Sequence, residues 1–407
     1  MPDQIGNKHE GPAVIVVGGG PAGLTAAITL AAGGVATLLV AKRPERPDNR
    51  TSFLVAGSVT ALGTLGVWPQ CAIHAAPLKV MRIVDDTGRL WRAPEARFAA
   101  GEIDLDAFGY NIENRHLVAA LEQFAHSLPN LTVAEDEVAA VETGANGVAV
   151  TLKSGATHAA PLVIGADGRR SLCRDAAGIA VDERDYAQIA LTLCLKHSRA
   201  HRDTSTEFHT ASGPFTLVPL PGQRSSLVWV LDPSQADDIA TLDDVALSMA
   251  IESASHSILG KIDVEPGRGL FPLCVATARQ FAAKRIALVG EAAHVIPPIG
   301  AQGLNLGLRD AASIGELGIA AHRDGRDIGG TEVLAAYDAM RRIDIGTRTL
   351  AIDLLNRALL SELLPVQAMR GLGLYLFERF KPLRRAAMRE GVTPMAAQPR
   401  LMRGEVL

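Results

Sequence analysis

The sequence predicts an α/β protein with a discontinuous Rossmann-like domain, a β-rich second domain and a helical C-terminal region. Three observations carry this. "AVIVVGGGPAGLTAAITLAAGGVATLLVA", residues 13–41, reads as strand, glycine turn, helix, strand. Residues 186–279 change to alternating apolar and polar runs, such as "QIALTLCLKH" and "FTLVPLPGQRSSLVWVL". "RIALVG", 285–290, returns to the buried-strand style of the opening, so the first domain is visited at both ends of the chain. A length of 407 residues exceeds the usual size of one core, in keeping with more than one domain.

Composition narrows the class. Hydrophobic residues make up 48% and charged residues 21%, which suits a folded chain and argues against long disorder. A formal charge of −4 with no dense basic tract leaves no nucleic-acid footprint. Cysteines 71, 173, 194 and 274 form no C-x-x-C pair and no cluster at metal-ligand spacing, so reduced thiols and no metal are expected. Residues 1–10, "MPDQIGNKHE", lack an apolar core and read as a flexible N-terminus, not a signal peptide. Gly11 to Ala41 is uncharged and long enough to span a bilayer, but its seven glycines and Pro21 break it into strand, turn and helix. A cytoplasmic protein is the expectation.

In chain order, a strand is expected at about 13–17, a helix at about 21–32 and a second strand at 36–41. Gly18, Gly20 and Gly23 give the G-x-G-x-x-G spacing: one for the tight turn, one for backbone approach to a pyrophosphate, one for helix–strand packing. The phosphates would sit at the helix N-terminus, where free N–H groups and the dipole favour negative charge. The acidic residue that usually holds a ribose at the end of the second strand is missing, since that strand ends Val40, Ala41, Lys42, Arg43. This disfavours NAD more than FAD; Glu45 and Asp48 are the nearest carboxylates that could substitute.

"TSFLVAGSVTALGTLGVW" reads as a helix from about 53 to 64, and "LKVMRIVDDTGRLWRA" as a hairpin around "DDTG". "NRHLVAALEQFAHSL" is an amphipathic helix with apolar positions 117, 118, 121 and 125. Strand candidates at 131–134, 138–142 and 147–153 read together as an antiparallel insertion before "PLVIGADG". The boundaries expected are 11–78, 106–185 and 280–345 for the cofactor domain, 79–105 and 186–279 for the substrate domain, and 346–407 for the helical region. From Arg370 to Leu407 there are eight Lys and Arg against three Glu, which reads either as a helix packed on its own protein or as peripheral contact with an anionic membrane.

Three separated segments resemble the flavoprotein aromatic hydroxylases of the p-hydroxybenzoate hydroxylase fold. They are "GGGPAG", the Asp-Gly segment "IGADGRRSLCR" at 164–174, and "GEAAHVIPPIGAQGLNLGLRDA" at 290–311. The last matches the family's second FAD motif except that Glu291 stands where Asp is usual. "DNRTSFLVAGSVTALGTLGVW", "GPFTLVPL", "SSLVWV" and "RRIDIGTRTLAIDLLNRAL" narrow the resemblance to the ubiquinone-biosynthesis hydroxylase family over nearly the whole chain.

The resemblance implies an FAD-dependent monooxygenase that uses NAD(P)H and O2, through a flavin C4a-hydroperoxide, to hydroxylate a polyprenylated phenol or quinone precursor. Other quinone-biosynthesis proteins are implied partners. By the same resemblance, Gly18, Gly20, Pro21, Ala22 and Gly23 lie on the pyrophosphate, with Lys42 and Arg43 near the adenosine. Arg50 and Arg115 reach the cofactor, Val138 offers its backbone to adenine, and Asp167 and Glu291 are the acidic motif positions. Gly303, Leu304 and Asn305 open a helix whose N–H groups can stabilise negative charge on the reduced flavin. His294 reads as a proton shuttle or as a hydrogen-bonded loop histidine, and Asp310 as a helix residue pairing nearby arginines. Trp68, Trp91 and Trp229 read as packing residues, the last where the family's substrate domain faces the flavin. No catalytic base is identified. Two other readings remain open at this stage: a hydroxylase of a small soluble aromatic, and a non-catalytic FAD-binding subunit of a lipid-modifying complex.

Overall fold

The computed structural model describes residues 11–42, 48–88, 94–297, 302–360, 380–392 and 398–407. The expectations for residues 1–10, Arg43, Trp91 and much of the C-terminal basic region lie outside the described residues.

The first sheet has the order β19 (Ala282–Ala283), β20 (Ile286–Leu288), β12 (Leu162–Gly165), β1 (Val14–Val17), β2 (Thr37–Val40), β8 (Leu131–Ala134). From β20 to β8 all neighbours are parallel, and β1, β2 and β12 are buried along their whole length. That accounts for their continuous apolar sequence, because a strand covered on both faces has no polar side. Between β1 and β2 runs α1 (Pro21–Ala32), and α8 (Gln302–Arg323) packs against it. A small antiparallel sheet, β11 (Thr157–Ala160), β10 (Val148–Leu152), β9 (Val138–Thr143), flanks this layer. The strand at 131–134 therefore belongs to the parallel sheet and not to the antiparallel insertion: its register runs Thr37 to Leu131 through Val40 to Ala134.

A second body is built on a nine-stranded sheet. Its path is β21 (His294–Val295), β18 (Gly269–Ala278), β13 (Val181–His197), β16 (Arg224–Leu231), β15 (Pro214–Leu220), β14 (Thr204–His209), β5 (Val80–Asp85), β6 (Ala96–Ala99), with β17 (Ile262–Val264) paired to β13. Two helices, α6 (Pro233–Thr241) and α7 (Asp244–Ala254), cover one face, where Leu191, Leu217, Leu227 and Phe215 are buried. Trp229 packs edge-on against Phe215 on this covered face, whereas Val228 and Val230 lie on the opposite face.

A three-stranded sheet, β3 (Thr51–Val55), β7 (Gly109–Glu113), β4 (Ala75–Pro77), joins the two bodies. The helix expected from 53 begins later, as α2 (Ala56–Thr64), because Thr51–Val55 pairs antiparallel with Glu113–Gly109. Partner strands supply the hydrogen bonds there, and tertiary pairing overrides the local pattern. Further helices are α3 (Trp68–Ala72), α4 (Asn114–Ala125) and α5 (Leu172–Ala177). The C-terminal part holds α9 (Thr331–Leu360), which runs unbroken through residues 345 and 346, α10 (Lys381–Val392) and a last 3-10 turn (Arg400–Arg403) packed on α2 and α8. No described helix is long and apolar enough to cross a membrane. All four cysteines are free and buried, and burial pushes the Cys71 thiol up to about 11.

Candidate active site

The site starts from the glycines after β1, and they divide into two kinds. Gly18 sits at φ 117°, and a Cβ there would lie 2.2 Å from the Ala166 carbonyl oxygen. A Cβ on Gly23 would lie 2.0 Å from the Gly18 oxygen. The protein's own packing demands both. Gly20, the N-cap of α1, is different: a Cβ there would meet nothing within 4 Å among the described residues. No side chain caps the helix and no acid sits in its first turn, so its N-terminal N–H groups and positive dipole end are unopposed. A bare backbone beside open space at such a helix start fits a pyrophosphate.

A second glycine-rich segment is drawn to the same place. Gly290 adopts φ 61°, and a Cβ on Gly307 would lie 3.2 Å from both Ala22 Cβ and Gly290 Cα. Further along the seam a Cβ on Gly315 would lie 2.3 Å from Thr29 Cγ2. Small residues on α8 thus let it lie directly on α1, which sets its first turn beside the start of α1. There Gly303, like Gly20, has nothing within 4 Å of a would-be Cβ among the described residues.

Most acidic and amide groups of the motifs hold the protein together. Asp167 accepts from the Ser171 hydroxyl at 2.6 Å and from Cys173 N at 3.1 Å, which fixes the start of α5. Asn305 accepts from Val55 N at 3.0 Å and Ser58 Oγ at 2.8 Å and donates to the Phe53 carbonyl at 2.7 Å, so its side chain pins β3 and α2 to the first turn of α8. Asp310 is fully buried; it accepts from Gly290 N, His294 Nε2 and Arg341 Nε at 2.9, 2.7 and 2.6 Å. Burial alone would raise its carboxyl, but Arg341 and His294 outweigh that and hold it below the usual carboxylate range. His294 is therefore a buried structural partner of Asp310, the second of its two sequence readings.

The arginines gather at the junction of the two bodies. Arg50 makes a two-pronged pair with Asp48 at 2.8 and 2.9 Å, and its guanidinium lies 5.6 Å from the centre of the Phe271 ring. Its proton is held more firmly than usual, first by Asp48 and, in smaller part, by the charge of Glu291, which places Arg50 and Glu291 in one electrostatic field. Glu291 itself is exposed. Arg115 donates to the buried Glu113 at 2.7 Å, and Arg224 bridges Glu113 to Glu265. At the far end, Lys42 pairs with Glu137 at 3.3 Å, next to Val138. Gly18, Pro21, Ala22, Gly303 and Leu304 cluster with the seam, Arg50 with Glu291, and Lys42 with Val138; Arg43 lies outside the described residues.

The reading of Asp310 as a partner of arginine holds, with Arg341 as that partner; sequence reasoning did not single out Arg341, nor the burial of Tyr337, whose hydroxyl donates to the Leu288 carbonyl at 2.6 Å. The available signal was the small-residue spacing Gly303, Gly307, Ala311, Gly315 on one helix.

Comparison with known proteins agrees with this geometry. The FAD binding domain family matches residues 12–350. The chain is 35% identical over 401 residues to the ubiquinone hydroxylase UbiL of Rhodospirillum rubrum, covering 96% of this chain and 92% of that one. It is 31% identical over 385 residues to the 3-demethoxyubiquinol 3-hydroxylase of Escherichia coli, covering 92% and 97%. In fold it is similar to the p-nitrophenol 4-monooxygenase PnpA of Pseudomonas putida, with a TM-score of 0.79 at 19% identity, covering 95% of this chain and 99% of that one. Fold and site thus define an FAD-dependent monooxygenase. The chain belongs to the ubiquinone-biosynthesis hydroxylase family of these flavoproteins.

Proposed function

We propose that this chain hydroxylates the aromatic ring of a polyprenylated phenol on the route to ubiquinone. The observation that carries the reading is the meeting of the starts of α1 and α8, where Gly20 and Gly303 have nothing within 4 Å of a would-be Cβ among the described residues and Asn305 is tied to β3. Relatives named for ubiquinone and demethoxyubiquinol hydroxylation support the substrate class. Bound FAD would supply activation of O2 with electrons from NAD(P)H.

The chain's own residues bind and orient. The start of α1, with Gly18, Gly20, Pro21, Ala22 and Gly23, holds the pyrophosphate, and Lys42 and Val138 border the adenosine. Arg50, Arg115 and Glu291 hold the cofactor near the junction, with Asp167 shaping the turn beneath it. The N–H groups of Gly303, Leu304 and Asn305 face the negative charge that reduction places on the flavin. Exposed Met340, Ile343 and Phe380 support peripheral membrane contact near the C-terminal region.

The quinone-precursor profile of a strain lacking the gene tests this. Ubiquinone should fall, with a precursor accumulating that lacks one ring oxygen. Unchanged ubiquinone and no accumulated precursor would overturn the proposal.

A further inference from the structure

The two faces of the nine-stranded sheet are not equally covered. Beneath α6 and α7, Leu191, Leu217 and Leu227 are at most 2% exposed. On the opposite face a row in register across five strands, Gly269, Thr192, Val228, Thr216 and Glu207, is only partly buried, although it crosses the middle of the sheet. Incomplete burial of central-strand residues means open space above them. Phe271, two residues from Gly269 on the same face, carries the Arg50 guanidinium above its ring, and Arg50 shares the field of Glu291. The partly buried row therefore runs from β18 to β14 as a strip between closed rows, Ala190, Val230 and Pro214 on one side and Cys194 and Ser226 on the other.

At the β14 end stands a carboxylate–imidazole pair. His209 Nε2 lies 2.7 Å from Glu207 Oε1, and the Thr216 hydroxyl donates to Glu207 Oε2 at 3.2 Å. The side chains are 11% and 25% exposed. Both alternate with Phe208, which is buried under the helices, so both point to the open face. A carboxylate oxygen accepts, so the hydrogen of this bond sits on Nε2, and Nδ1 is the ring nitrogen placed to take a proton. That nitrogen makes no hydrogen bond among the described residues.

We infer that His209, oriented by Glu207, is the base that takes the phenolic proton of the substrate. This rests on the reading above that the substrate is a phenol. The proton passes from the phenol oxygen to Nδ1, and the electron pair stays on oxygen and spreads into the ring, enriching the ortho and para carbons. The resulting imidazolium faces the Glu207 carboxylate, which stabilises it. His209 is the catalytic residue and Glu207 its positioning residue. Among the described residues, Asp85 on β5 stands opposite His209 in register; its carboxylate accepts from Thr87 N and Oγ1. The β15 neighbours, Pro214 and Thr216, do not titrate.

The test uses the FAD-loaded full chain with two probes. 2-Geranyl-4-nitrophenol reports ionisation of the bound phenol by its phenolate absorbance, and 2-geranylphenol reports hydroxylated product per NAD(P)H oxidised. The wild type should lower the apparent pKa of the bound nitrophenol below that of the free probe. His209→Gln should abolish that lowering and cut kcat about 100-fold, with FAD content and KM little changed. Glu207→Gln should retain part of the lowering and shift the pH–rate profile. The inference is overturned if His209→Gln ionises the bound nitrophenol as the wild type does, or if the wild type itself leaves that pKa unmoved. A wild type that ionises the nitrophenol yet forms no product from 2-geranylphenol would sink the hydroxylase reading and leave the proton transfer standing.

Discussion

The seam between α1 and α8 and the seat that opens at its end are built from the same residues, glycines and acids, used in opposite ways. In the seam and the β1–α1 turn that leads into it, the absence of a side chain lets the protein touch itself, as at Gly307 against Ala22 and Gly23 against Gly18. In the seat, at Gly20 and Gly303, it leaves the backbone touching nothing among the described residues. The acids divide likewise: Asp310 is sealed in the seam, whereas Glu291 is exposed beside the seat. A G-x-G-x-x-G spacing therefore mixes glycines needed for folding with glycines needed for a ligand, and substitution separates them.

The largest effect is expected from Gly23→Ala. Its methyl would sit 2.0 Å from a backbone oxygen that no rotamer change can move. A loss of about 3 kcal/mol or more is expected, at the severe end for overpacking, seen as insoluble protein or a collapsed urea midpoint. Near-normal stability would show that the seam can yield, and the division would fail.

Asp310→Asn comes next. It removes one of the two carboxylates that pair with buried Arg341, which keeps Asp344 at 2.8 Å, and the charged acceptor of His294, a cost of about 3 kcal/mol, the low end for a broken buried pair. The sign with pH follows from the lowered carboxyl. In the unfolded chain Asp titrates near about 4, so the stabilisation is complete above that and is lost as pH falls through the lower folded value. Urea midpoints from neutral to acid pH should fall in the wild type over that window and be flatter in the variant. Parallel curves would assign the seam's strength to packing alone.

Much of the seam was legible in the sequence because its rules are local. Gly18 and Gly23 are fixed by turn geometry and close packing within six residues, and the buried strands announce themselves as apolar runs. What was illegible depends on partners distant in sequence. Thr51–Val55 is a strand only because Gly109–Glu113 lies beside it, and Asp310 finds Arg341 only when α9 folds back onto α8. The side-chain duties of Asp167 and Asn305 were equally hidden: both side chains brace the scaffold through partners that the motifs do not name.

Gly20→Ala should reverse the pattern of Gly23→Ala. Gly20 has φ −74° and ψ 170°, which alanine adopts without strain, and the methyl has room within the protein. Stability should change by less than about 1 kcal/mol, the range for a poorer N-cap. The methyl would occupy the place of the pyrophosphate, so FAD affinity measured by flavin fluorescence should fall roughly tenfold or more, about 1.4 kcal/mol. Unchanged affinity would move the cofactor away from the start of α1.

The smallest expected effect belongs to Glu291→Ala, and it tests whether the seat works through backbone or through charge. Glu291 is exposed, and its influence on Arg50 is weaker than that of Asp48. Charges acting across solvent are worth about 0–1 kcal/mol and weaken with salt. Folding should be unaffected, and FAD affinity should fall no more than about fivefold at low ionic strength, with the difference shrinking as salt is added. A much larger loss that salt does not diminish would mean that Glu291 bonds the cofactor directly. The carboxylate, displaced by one methylene from the aspartate usual at this position, would then rank with Gly20 as part of the seat.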